Sequence, residues 1–95
     1  MTYEPKPLDT SSVVLSEELL ALTEYLAENT HEIWAAQRIS QGWQYGTQRD
    51  DLAKLHPDLV PYAELTETER EFETSTTLET LKALLVLGYS INSNF

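Results

Sequence analysis

Trp43, Tyr45, Arg49, Asp50 and Lys54 fall in one short stretch that opens at Gly42 and closes at Pro61 and Tyr62. Trp43 and Tyr45 offer flat apolar faces on which an aromatic ring can stack. Such contacts are worth about 1–3 kcal/mol per base in nucleic-acid complexes. Arg49 and Lys54 offer donors for an anion, and arginine adds a planar two-pronged fork. Asp50 or Asp51 can accept from a sugar hydroxyl or an exocyclic amine. Upstream, Trp34 and Arg38 are one helical turn apart and share a side of any helix through them. Together Trp34, Arg38, Trp43, Tyr45, Arg49, Asp50 and Lys54 have the chemistry of a site for a small, anionic, nucleotide-like ligand. A plainer assignment of the same residues stands beside it: a purely structural or protein-interaction module without a small-molecule ligand. Trp34 can be core, Arg49, Asp50 and Asp51 can pair and cap internally, and Arg38 can pair only with Glu28, Glu32 or an aspartate.

The charge distribution favours the same segment. The chain has 95 residues with 16 acidic and 6 basic side chains, for a net charge of −10. Such a balance argues against nucleic acid and against anionic membrane surfaces as partners. Three of the 6 basic residues, Arg38, Arg49 and Lys54, lie in a stretch whose acids are Asp50 and Asp51 alone. An anion meets the least local repulsion there.

Other chemistries find less support. There is no cysteine, which removes disulfides, thiolate metal sites and a cysteine nucleophile and fits a reducing, cytoplasmic setting. His31-Glu32 and His56-x-Asp58 match no metal motif. His31 reads better as a buried residue holding neighbouring backbone or Asn29 in place, and His56-Pro57 as a loop-shaping pair. Asp50-Asp51 lacks the spaced oxygens and glycine of a calcium loop. No serine or threonine sits in a nucleophile context, so the chain is expected to be non-catalytic and to need no cofactor. The apolar run from Ala83 to Leu87 is too short to cross a bilayer, and Met1 to Pro7 is no signal peptide.

The elements that must position these residues read as mainly α: two principal helical segments packed antiparallel, joined by a long structured loop. Pro5 and Pro7 keep residues 1–9 extended as a flexible arm; 10–91 form the domain, and 92–95 a tail. Ser16 is an N-cap, with Glu17 and Glu18 in the first turn. Leu19, Leu22, Leu26 and Ile33 recur at helical spacing, flanked by Ala27 and Ala36, toward an end before Gly42. Asn29 and Thr30 leave open one long helix or two abutting ones. Gly42 and Gly46 are expected to turn the chain with positive φ, and Asp50 to Leu55 to form a single helical turn. Thr66 and Glu69 form a capping box, and Thr76 and Glu79 repeat it after a threonine run. Leu78, Leu81, Leu84, Leu85 and Leu87 follow, and Gly88 suits a left-handed C-terminal position. Short strands are expected near Val13 and Tyr89.

These residues also carry a family pattern. It runs Pro5-x-Pro7-x-Asp9-Thr10, then Leu26-Ala27-Glu28-Asn29-x-His31-Glu32-x-Trp34-Ala35. It continues through Arg38, Gly42-Trp43-x-Tyr45-Gly46, Arg49-Asp50-Asp51, Lys54-x-His56-Pro57 and Leu59-Val60-Pro61-Tyr62. It closes on Glu79-x-Leu81-Lys82-x-Leu84-Leu85-x-Leu87-Gly88-Tyr89. Over nearly its whole length the chain resembles the RyR domain, the repeat named for the ryanodine receptor calcium-release channels. The resemblance implies a mainly helical unit resembling the stand-alone single repeats of bacteria and phages. It implies regulation through nucleotide-like ligands rather than ion conduction. The channel repeats pack as pairs, so it also implies a symmetric homodimer for a lone repeat.

Overall fold

The computed structural model describes residues 2–94; Met1 and Phe95, the ends of the expected arm and tail, lie outside the described residues. Ser16 caps helix α1, Glu17–Ser40, its hydroxyl accepting from the Leu19 N–H at 3.3 Å. The helix is continuous through Asn29 and Thr30, and the Thr30 hydroxyl bonds back to the Leu26 carbonyl at 3.0 Å. Thr66 caps α2, Glu67–Val86, by accepting from the Glu69 N–H at 3.2 Å. The threonine run does not interrupt this helix. The Thr74, Thr76, Thr77 and Thr80 hydroxyls each bond a carbonyl four residues back, at 2.9–3.0 Å, so their polar groups are satisfied without leaving the helix.

Both helices stop in the same way. At the end of α1, Gly42 adopts φ 94, its N–H bonds the Ile39 carbonyl, and the Trp43 N–H bonds the Arg38 carbonyl. At the end of α2, Gly88 adopts φ 95, its N–H bonds the Leu85 carbonyl, and the Tyr89 N–H bonds the Leu84 carbonyl. This is the paired 6→1 and 5→2 closure of a Schellman motif, which needs a left-handed residue at its turn. No strand forms near Tyr89, because its N–H closes the helix. None forms near Val13 either, where the N–H bonds the Thr10 carbonyl in a turn.

The strands lie instead in the connection. β1, Gln44–Tyr45, pairs in parallel with β2, Leu55–His56, with Gln44 opposite Leu55 and Tyr45 opposite His56. The chain between them is a tight loop, not a helical turn. Asp50 and Leu55 exchange both backbone bonds at 2.9 Å, and Lys54 takes φ 57 to close it. Gly46 does not have positive φ; its need is space, since a Cβ there would stand 2.7 Å from the Leu55 Cβ. A 3-10 turn, Tyr62–Glu64, then leads into α2.

α1 and α2 pack antiparallel: His31, in the second half of α1, lines the same hollow as Glu69 and Phe72 near the start of α2. The buried face of α1 is Thr23, Ala27 and His31. Ala27 is fully buried and forms a core cluster with Tyr62 and Leu65, on which Val60 packs. Leu22, Leu26 and Ile33, three of the four residues of the apolar spacing read in the sequence, stay exposed. The small side chain of Ala27 is what lets the Tyr62 ring approach α1, and that approach sets which face turns inward. At the other end, the buried Thr10 hydroxyl donates to the Glu79 carboxylate at 2.6 Å and ties the N-terminal segment to α2.

Gly46→Ala is expected to destabilise the fold by about 1–3 kcal/mol, the usual cost of forcing an atom into filled space. Urea denaturation should show a lower midpoint with an unchanged slope.

Candidate functional site

The Schellman turn after α1 fixes Trp43 directly beyond Arg38. The guanidinium carbon lies 5.3 Å from the centre of the Trp43 ring, in cation–π range. A row of rings continues from there. His56 stands edge-on to Trp43 at 6.2 Å and edge-on to Trp34 at 5.0 Å. Trp34 stacks on His31 at 5.6 Å, with the planes 28° apart. His31 is buried, and its Nε2 lies 2.8 Å from the Val60 carbonyl. A carbonyl only accepts, so this nitrogen carries a proton. The His56 Nδ1 accepts from the Asp58 N–H at 3.0 Å, which fixes its ring against the turn.

This row forms one wall of a cavity of about 470 Å³ between α1, the connection and the start of α2. His31, Trp34 and His56 line one side, Leu65 the floor, and Phe72, Glu69 and Glu73 the α2 side, with Asp58 at the connection. A mainly apolar hollow with a few convergent polar groups is the usual form of a small-molecule site. Asp58 and Glu69 both line this cavity, and hydrogen bonding to Asp58 with partial desolvation raises the Glu69 pKa above its ordinary 4.5. Thr66 and the His31 charge oppose the rise. Among the described residues, no group of three or more ligating side chains is arranged to hold a metal ion.

A second hollow, of about 420 Å³, lies against Glu24, Glu28, Tyr62 and Arg70. The Tyr62 hydroxyl is buried there without a bonded partner among the described residues. Burial, with the nearby Glu24, pushes its pKa above 10.0. The Arg70 guanidinium donates to the Ala63 carbonyl at 2.9 Å and holds the 3-10 turn against α2.

The seven residues singled out from sequence are dispersed. Trp34 is half-buried and lines the larger cavity. Arg38 lies over Trp43 and donates to the Gln41 side chain at 3.3 Å, with no carboxylate ion-pair partner among the described residues. Trp43 is half-buried in the ring row, and Tyr45 is exposed on β1. Arg49 pairs with Asp51 at 2.8 Å, both largely exposed, and the Asp50 carboxylate accepts from the Ala53 N–H at 3.0 Å. The Lys54 ammonium donates to the Gln41 carbonyl at 2.8 Å, at the negative end of the α1 dipole. Cavity residues the sequence reading passed over as ligand contacts are His31, His56, Asp58, Glu69 and Phe72. The capping box already marked Glu69 as the first turn of a helix, but nothing local joins it to Asp58.

Glu69 has a raised pKa in the folded chain, so it stabilises the fold in its protonated form. That contribution is fully present below about pH 4 and is lost as pH rises through the raised value. Asp58→Asn removes the opposing carboxylate. The Tm of the variant relative to wild type is expected to improve steadily from about pH 4 to about pH 7, read by thermal melts across that range.

Residues 3–93 match the family model of the RyR domain. The two helices, their glycine-closed ends and the ring-bearing connection are therefore those of a RyR domain, and the chain belongs to that family.

Proposed function

We propose that this RyR domain is a non-catalytic cytoplasmic module that binds a small nucleotide-like ligand. The observation that carries the reading is the ring-walled cavity beneath Trp34 and His56. A flat base enters between Trp34 and Phe72, and Asp58 and Glu69 accept from its exocyclic amine. Its sugar and phosphates remain outside, toward the connection, where Arg38 and the exposed Arg49 offer donors. Asp58, Glu69 and Glu73 line the cavity, so phosphate does not enter it.

A second reading, self-pairing into a symmetric dimer without a ligand, has its own support. The chain exposes 7655 Å², against about 5,500 Å² for a compact monomer of this mass. Its radius of gyration is 16.3 Å, against about 12 Å. Leu22, Leu26 and Ile33 stand uncovered on α1. Light scattering at micromolar protein separates the two: a mass of twice the chain supports pairing, and the single mass removes it.

Thermal unfolding with and without millimolar ATP, ADP-ribose and cyclic nucleotides tests the ligand. At least one is expected to raise the Tm. Phe72 is 70% exposed, so Phe72→Ala should leave unliganded stability within about 1 kcal/mol while removing the ligand shift. Arg49→Ala should also leave stability within about 1 kcal/mol and weaken only phosphate-bearing ligands. No shift with any of these compounds overturns the reading in favour of an interaction module.

A further inference from the structure

The lining of the larger cavity has a one-sided charge. Asp58, Glu69 and Glu73 are its charged residues besides the histidines, and no lysine or arginine reaches it. The basic side chains that could have neutralised them are engaged elsewhere. Arg38 lies on Trp43, Arg49 pairs with Asp51, and Lys54 caps α1 at Gln41. Arg70 bonds Ala63, Lys82 pairs with Glu79, and Lys6 is exposed in the N-terminal segment. The two histidines at the cavity are likewise committed, His31 to the Val60 carbonyl and His56 to the Asp58 N–H. Beside these carboxyl groups stand the Trp34 indole and the exposed Phe72 ring. Flat π faces and convergent carboxylates together are the recognition chemistry of an organic cation.

Resting on the cavity being the ligand site, we propose that the group it takes is a flat, positively charged nitrogen head, such as an amidinium or a ring-cationic heterocycle. Trp34 and Phe72 cover its faces, and Asp58 and Glu69 accept from its N–H edge. A neutral aromatic of the same shape keeps the ring contacts but leaves two facing carboxyl groups without a counter-charge.

The same geometry couples binding to pH. Asp58 and Glu69 line the cavity together, and the Asp58 carboxyl group, with desolvation, raises the Glu69 pKa above its ordinary value. The groups that face the pair are His31 from α1, His56 from the connection, and Thr68 and Glu73 from α2. An entering cation favours the charged form of Glu69, and its proton leaves to solvent. One positive charge enters for the one that departs, so the charge of the pair with its occupant is unchanged. Cation and proton compete, and affinity therefore rises with pH across the carboxyl range.

The test compares 1-methyladenosine, whose ring is cationic at neutral pH, with adenosine, a neutral analogue of nearly the same shape. Titration calorimetry on the full chain reads both affinities, and two buffers of different ionisation enthalpy read proton release. 1-Methyladenosine is expected to bind at least about tenfold more tightly near pH 7. Its affinity should fall toward about pH 4.5, with proton release growing toward one per ligand. Asp58→Asn with Glu69→Gln should cut the preference to about threefold or less while leaving the circular dichroism spectrum unchanged. If adenosine binds as tightly as its cationic analogue, this inference fails and the nucleotide-like reading stands. If neither binds at millimolar concentration, both fall.

Discussion

One part-buried hydrogen bond organises this molecule: the His31 Nε2–H to the Val60 carbonyl, 2.8 Å long. It joins the middle of the first helix to the end of the connection. A buried carbonyl left without a donor costs about 1–3 kcal/mol, so the connection is held where His31 puts it. Three consequences follow from that anchorage. Val60 and Tyr62 settle on Ala27 to make the core cluster. The imidazole plane becomes the support on which Trp34 stacks. His56, a few residues before Val60, is drawn against the far side of Trp34. The ring row is therefore part of how the fold closes and not an ornament on a finished scaffold.

The core this produces is thin. Among the described residues Leu15, Ala27, Tyr62, Leu65 and Leu81 are its buried apolar members, and no large side chain is fully enclosed. A fold with so little apolar burial leans on specified local geometry, and the helix ends supply much of it. Each helix begins on a hydroxyl cap and ends on a left-handed glycine. In the connection, the loop from Asp50 to Leu55 is closed by reciprocal backbone bonds, and Lys54 reaches back to the carbonyl end of α1. Polar closure thus does in the connection what apolar packing does between the helices.

This division explains what was legible in the sequence. Ser16, Thr66, Gly42 and Gly88 act on backbone groups within a few residues of themselves, so their roles could be read from local spacing. His31 as a buried residue holding backbone could be read as well, though not that its partner is Val60. The inward face of α1 could not. Leu22, Leu26 and Ile33 have the stronger apolar spacing, yet Ala27 and His31 face the core, because the choice depends on a tyrosine arriving from 35 positions beyond Ala27. The strands were unreadable for the same reason. Two residues each, they exist because the chain returns past itself, and Gly46 leaves room for Leu55 to pass. The site suffers most from this limit. Trp34 was recognisable by type, but the pairing of Asp58 with Glu69 arises only when the connection docks on the start of α2.

The placement of charge then constrains what the domain can recognise. Sequence spacing gathers Arg38, Arg49 and Lys54 near the rings and invites an anion. The folded chain directs Arg38 onto an indole and Lys54 onto a helix end, while Arg49 pairs with its neighbour at the surface. The concave surface is left to aromatic rings and carboxyl groups. Desolvating a phosphate beside two acids would be strongly unfavourable, whereas an amine-bearing ring offers those acids donors. The ligand proposed above is accordingly two-ended, with its nitrogen-rich face inward and any negative charge held out toward the arginines. Under the proposed function, the acidic lining of the cavity sets the orientation of the ligand as well as its class.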